Sequence, residues 1–80
     1  MVTYEECEAA SEAVGWDVSA AEVAAALEKH DGWSLQALRK ILEEHVKTFE
    51  ENGGRGSETA DYIDTLRVAI AAREHREARG

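Results

Sequence analysis

The sequence predicts an all-α fold, a compact arrangement of four helices in which two short helices precede two longer antiparallel ones. Three observations support this prediction. None of the 80 residues is proline, which interrupts helices more strongly than any other residue. Apolar residues recur every three or four positions, and no segment alternates as a strand would. Serine, threonine and glycine, which favour helix ends, separate the periodic segments. We expect a single helical domain over residues 1–80.

The first helix is predicted at about residues 3–14. Thr3 and Glu6 have the spacing of a capping box, in which each side chain bonds the other residue's backbone amide. Gly15 suits the left-handed conformation that often ends a helix. The residues expected to form its narrow apolar stripe are Tyr4, Cys7, Ala10 or Ser11, and Val14.

The second helix is predicted at about residues 19–30. Ser19 and Glu22 have the spacing of a second capping box. The alanine-rich run at residues 20–27 has high helix propensity and little side-chain bulk. We therefore expect neighbouring helices to approach this one closely.

The third helix is predicted at about 34–52 and the fourth at about 57–77, with Ser34 and Ser57 as their caps and a flexible loop at 52–57. The third has the strongest amphipathic pattern in the chain, and we expect it to be the central helix of the core. The residues of its apolar stripe are Leu35, Leu38, Leu42, His45 and Phe49.

The net charge of -8 is concentrated at one end of the chain. Residues 1–31 contain eight acids and one base, whereas the remaining residues contain nine acids and eight bases. Such asymmetry attracts basic partners and repels nucleic acids and anionic membranes. Tryptophan is also favoured as an anchor in protein interfaces. The residues predicted to bind a partner are Glu5, Glu8, Glu12, Trp16 and Trp33.

No residue pattern points to catalysis, a metal or a cofactor. The histidines lack the spacing of metal-ligand motifs. We expect His45 to be partly buried, and His30 and His75 to be solvated. Cys7 lies on an apolar stripe and is interpreted as a small core residue rather than a reactive thiolate. The prediction is a protein without enzymatic activity.

The single cysteine and the absence of a long apolar run predict a cytoplasmic protein that does not enter membranes. A chain this short buries only about 60% of its unfolded surface, so support from a partner or from a second copy of the chain is expected. A homodimer therefore remains an open alternative.

One alternative function comes from residues 31–39, DGWSLQALR, which resemble the phosphopantetheine attachment motif of acyl and peptidyl carrier proteins. Chain length, acidity and helix count are similar as well. The resemblance implies that Ser34 would carry the prosthetic arm. A role as helix cap explains the same serine without a cofactor.

A second alternative comes from residues 19–27, SAAEVAAAL, which are similar to the first helix of helix–turn–helix regulators. This resemblance implies that the third helix would enter the DNA major groove. Its expected exposed positions mix acids and bases, a poor pattern for phosphate contact. These positions are Gln36, Arg39, Lys40, Glu43, Glu44, Lys47, Glu50 and Glu51.

The function expected from the sequence is a protein-protein interaction or regulatory module, a small acidic helical binder or inhibitor that docks on a basic partner surface. Small acidic helical proteins of this kind include phage-encoded inhibitors and antitoxin-like bacterial regulators.

Overall fold

Four α-helices make up the computed structural model, which describes residues 1–79. In chain order they are α1 (Tyr4–Val14), α2 (Ala20–Lys29), α3 (Leu35–Glu51) and α4 (Ser57–Arg79). No strand occurs in this part of the chain. The predicted all-α class and the order of two short helices before two longer ones are confirmed. None of the four helices is both long and apolar enough to cross a membrane.

The helix starts follow the predicted capping residues, with one exception. The Thr3 hydroxyl accepts from the Glu6 amide at 3.2 Å, and the Glu6 carboxylate accepts from the Thr3 amide at 2.8 Å, which completes the capping box. Ser19 and Ser34 each accept an amide hydrogen bond from the third residue of their helix. The predicted second capping box is only half formed, because the Glu22 carboxylate accepts from the Ser19 hydroxyl at 3.2 Å rather than from the Ser19 amide. Ser57, predicted as a cap, is instead the first residue of α4, and the Gly56 carbonyl accepts from the Ala60 amide.

The central helix of the core is α4, and the prediction that α3 would be central is wrong. Of the α3 side chains only Leu38 is buried. Among the described elements, α1, α2 and α3 all pack on α4, and α3 packs on α4 alone. The buried residues of α4 are Ile63, Leu66, Val68, Ala69, Ile70 and Ala72.

The reason for this error lies in how amphipathic patterns arise. A helix that packs on one neighbour shows one apolar stripe and a sharp contrast between its faces. A helix that packs on several neighbours needs apolar residues around more of its circumference, so the contrast is weaker. The pattern of α3 therefore indicates a helix at the edge of the fold, and the more uniform pattern of α4 indicates the centre.

The core consists of two clusters that both include residues of α4. The alanine-rich cluster joins α4 to α1 and α2; its buried residues are Ala10, Val18, Val23, Ala26, Val68, Ala69 and Ala72. The leucine cluster joins α4 to α3; its buried residues are Leu38, Leu66 and Ile70. Within the alanine-rich run only Val23 and Ala26 are buried in this cluster, and the exposed alanines are Ala20, Ala21, Ala24 and Ala25.

Both α1 and α3 run antiparallel to α4. Arg39 near the start of α3 bonds Glu74 near the end of α4 at 2.7 Å, and the rings of His45 and Tyr62 lie 4.8 Å apart. Glu6 in the first turn of α1 likewise bonds Arg76 near the end of α4. At about 1.5 Å per residue, α4 accounts for nearly all of the 37 Å long axis of the molecule.

Three sequence expectations about individual side chains are wrong, those for His30, Tyr4 and His75. His30 is not solvated but 2% exposed, between the end of α2 and the ring of Tyr62. Tyr4, placed on the apolar stripe of α1, is 75% exposed, and the fully buried positions of that helix are Glu6 and Ala10. Tyr4 lies two positions before Glu6 and therefore on the other side of the helix, so the burial of Glu6 leaves Tyr4 exposed.

Candidate protein-interaction surface

The predicted acidic residues of α1 share one exposed face. Glu5, Glu8 and Glu12 are separated by three and four positions, which places them on the same side of the helix. All three are exposed, and Tyr4 stands beside them. Within residues 1–79 none of the three takes part in an ion pair. We call this surface the α1 acidic face.

Glu6 differs from the other acids of α1 because it is buried and bonded to residues of the fold. Its carboxylate is 1% exposed and accepts hydrogen bonds from Arg76 and from the Thr3 amide. Burial alone would raise the pKa of Glu6, but the bonds from Arg76 and Thr3 outweigh it and hold the pKa below its usual value of 4.5. Glu6 therefore fixes the position of α1 on α4 and leaves the other acids of α1 facing solvent.

A groove of about 410 Å³ lies between α2 and α4. Apolar atoms of Ala25, Ala26 and Val68 contribute to its lining. Trp16, which follows α1 directly, forms one wall and is 45% exposed. We call it the Trp16 groove.

The charges that line the Trp16 groove are mainly negative. Glu22 stands on the α2 side, and Asp61 and Asp64 stand on the α4 side. The cation among the lining residues, Lys29, places its ammonium nitrogen 4.7 Å from the centre of the Tyr62 ring. Three carboxylates and one ammonium thus surround a partly apolar groove.

One stripe of α4 connects the Trp16 groove with α1. A second groove of about 540 Å³ lies between α1 and α4 and includes Glu12. Five of the seven α4 residues that line the two grooves follow each other at intervals of three and four positions, so these five share one side of the helix. These stripe residues are Asp61, Asp64, Val68, Ala71 and His75. Glu12 and Trp16 therefore lie beside two grooves on the same side of α4.

Trp33 lies apart from that surface. It lines a different groove, of about 620 Å³, together with Arg73 and Arg76. Its ring packs edge-on against His30 at 5.5 Å, and its carbonyl accepts a hydrogen bond from Arg73 at 2.6 Å. With 37% of its surface exposed, Trp33 closes the joint between α2 and α3. Of the five predicted partner-binding residues, Glu5, Glu8 and Glu12 share one face of α1, whereas Trp16 and Trp33 line two separate grooves.

Two of the three histidines, His30 and His45, form hydrogen bonds within the fold. A carbonyl can only accept, so the 2.8 Å contact from His30 Nδ1 to the Ala26 carbonyl assigns the proton to Nδ1. The other ring nitrogen lies 3.3 Å from the Tyr62 hydroxyl oxygen. His45 is half-buried as predicted, and its Nδ1 bonds the Ile41 carbonyl at 2.8 Å. His75, predicted to be solvated, is also half-buried.

The structure also places the residues on which the carrier-protein and DNA-binding alternatives depend. Ser34 is exposed at the start of α3, and its hydroxyl accepts from the Ala37 amide at 3.1 Å. All eight polar positions of α3 that were expected to face solvent are exposed. Cys7 is half-buried against the alanine-rich cluster. Over residues 1–79, no group of three or more histidine, cysteine or acidic side chains is arranged to hold a metal ion.

Sequence reasoning missed Glu22, Asp61 and Asp64 as neighbours of Trp16. The two aspartates have helical spacing, which places them on one face of α4. Nothing local indicates that this face meets Trp16, which is more than forty positions away in the chain. No protein-family model, curated protein or solved structure matches the chain.

Proposed function

We propose that this chain is a non-enzymatic interaction module that docks its acidic side on a basic surface of a partner protein. The observation that carries this proposal is the α1 acidic face. Its three carboxylates are exposed and have no cationic neighbour at ion-pair distance within residues 1–79.

The ion pairs of the fold support this proposal. Three arginines pair within the described residues, Arg39 with Glu74, Arg73 with Glu77 and Arg76 with Glu6. Only the last involves an acid from the first third of the chain, and that acid is the buried one. The negative charge of the first third therefore faces solvent, where it can steer a basic partner toward this side.

The shape of this side also supports docking. Glu12 of the α1 acidic face lines the groove between α1 and α4, and Trp16, four positions later in the chain, lines the Trp16 groove. A half-exposed indole next to an apolar floor provides the kind of anchor that carries binding energy in interfaces. A charged rim around an aromatic anchor is typical of a protein-binding surface.

The test is affinity capture with a matched control. Glu5, Glu8 and Glu12 are replaced together by glutamine, and the control chain carries Glu43, Glu44 and Glu51 replaced by glutamine on the exposed side of α3. Both variants lose the same charge. Each is used, beside the unaltered chain, to capture proteins from a lysate of cells that encode it, and captured proteins are identified by mass spectrometry.

We expect the unaltered chain and the α3 control to retain the same basic protein, and the α1 variant to lose it. Retention is expected to fall as salt rises from about 0.1 M to about 1 M, because the screening length shortens from about 10 Å to about 3 Å. Equal capture by both variants, with no dependence on salt, would show that the α1 acidic face is not the docking surface.

A further inference from the structure

We infer that the Trp16 groove receives an arginine side chain from the basic partner. This inference rests on the proposed function and specifies what the partner inserts. The groove combines three features that a guanidinium recognises: carboxylates, an exposed aromatic ring and an apolar floor.

The charge of the groove selects a cation. Glu22, Asp61 and Asp64 outnumber Lys29, whose ammonium is directed to the ring of Tyr62. None of these three carboxylates forms an ion pair in the part of the chain that the structure describes. A cation that enters here gains carboxylate contacts without displacing an existing ion pair. The same carboxylates oppose phosphate, which argues against nucleic acid as the occupant.

The aromatic wall favours arginine over lysine. An exposed indole attracts a cation that lies over its face, and tryptophan is the strongest aromatic partner for this contact. Guanidinium is planar and weakly hydrated, so it can stack on the ring while its N–H groups bond a carboxylate in a bidentate manner. Ammonium is compact and strongly hydrated, so it loses more on leaving water.

The size of the groove fits a side chain rather than a whole small molecule. Its volume of about 410 Å³ is near the lower end of ligand pockets, and one side opens to solvent. The methylene groups of an arginine side chain can lie on the floor of Ala25, Ala26 and Val68 while the head group reaches the rim. The main chain of the partner then stays on the surface, where the α1 acidic face can contact other basic residues.

The inference is tested with two short peptides of equal positive charge, one containing three arginines and the other three lysines. Each is titrated into the isotopically labelled chain, and amide shifts are followed by NMR. We expect saturable shifts at Ala25, Thr65 and Val68, and an affinity for the arginine peptide several-fold higher than for the lysine peptide. Trp16→Leu keeps an apolar wall but removes the ring, and should weaken arginine binding about tenfold, within the range of a cation–π contact.

The Asp61→Asn/Asp64→Asn variant should also weaken arginine binding, whereas the control Glu43→Gln/Glu44→Gln should change it less than twofold. The amide spectrum of each variant shows whether the fold is intact before it is titrated. A response that is equal for the two peptides, unchanged by Trp16→Leu and abolished by Glu5, Glu8 and Glu12→Gln overturns the arginine site and leaves the proposed docking intact. Absence of any shift at the groove also overturns it, and the capture experiment then decides the proposed function separately.

Discussion

Replacing Arg76 with alanine is expected to lower the free energy of unfolding by about 2 to 3 kcal/mol at neutral pH. The change leaves the Glu6 carboxylate, which is 1% exposed, without its cationic partner. Loss of one member of a fully buried pair costs about 3 to 5 kcal/mol. The Arg76 side chain is 40% exposed, and Glu6 keeps the bond from the Thr3 amide, so the expected cost is smaller.

The loss is large compared with the stability of a chain of this length, which is about 4 to 12 kcal/mol. Urea denaturation followed by far-UV circular dichroism measures it directly. Arg79→Ala is the matched control, because Arg79 is an exposed arginine of α4 that forms no ion pair within the described residues. This control is expected to stay within about 0.5 kcal/mol of the unaltered chain.

The effect of Arg76→Ala is also expected to depend on pH. The pKa of Glu6 is lowered in the folded chain, so the ionised carboxylate stabilises the fold above the unfolded-state pKa of about 4.5. That contribution is lost as pH falls through the lower folded-state pKa. Protonated Glu6 no longer requires Arg76, so the difference between the variant and the unaltered chain should shrink as pH falls below that folded-state pKa.

Two results would refute this reasoning about Glu6 and Arg76. The first is a difference of less than about 0.5 kcal/mol at neutral pH, which would mean that the carboxylate is satisfied without the guanidinium. The second is a difference that stays constant from neutral to acidic pH, which would mean that Arg76 acts through packing rather than through its charge.

Two further predictions concern the core and a helix cap. Leu66→Ala in α4 is expected to cost about 3 to 4 kcal/mol in denaturant unfolding, because Leu66 is fully buried, and Leu42→Ala in α3 about half as much, because Leu42 is half-buried. The reverse order would restore α3 as the centre of the core. Ser34→Ala is expected to cost about 1 kcal/mol, and Ser34→Asp to recover most of it, because either side chain can accept from the Ala37 amide. Equal stability of the two Ser34 variants would contradict the capping role.

Most of the secondary structure could be predicted because its signals are local. The helix boundaries lie within about two residues of those expected, since capping side chains act on amides three positions away. Gly15 adopts the left-handed conformation expected at the end of α1, with φ of 81°. The order of helices and connecting loops depends on such short-range contacts, so it can be predicted without knowing how the helices pack.

The packing order could not be predicted in the same way. The pattern of apolar residues shows how many faces of a helix are apolar, but it does not show which helix covers them. His30 illustrates the limit, because its burial depends on Tyr62, a residue of another helix. Glu6 illustrates it too, because a glutamate next to three exposed acids has no local mark of its pairing with Arg76.

The sequence by itself determined that this protein is all-helical, where its helices begin and end, and that its first third carries nearly all of the net charge. Only the tertiary structure decided that α4 is the centre of the fold, that one acid of α1 is buried while three face solvent, and that Trp16 meets Asp61 and Asp64 across a groove. The physical reason is the distance along the chain over which each kind of interaction acts. Capping and helical periodicity act over a few residues, whereas burial, ion pairing and groove shape depend on side chains that are distant in the chain and become neighbours only when the helices pack.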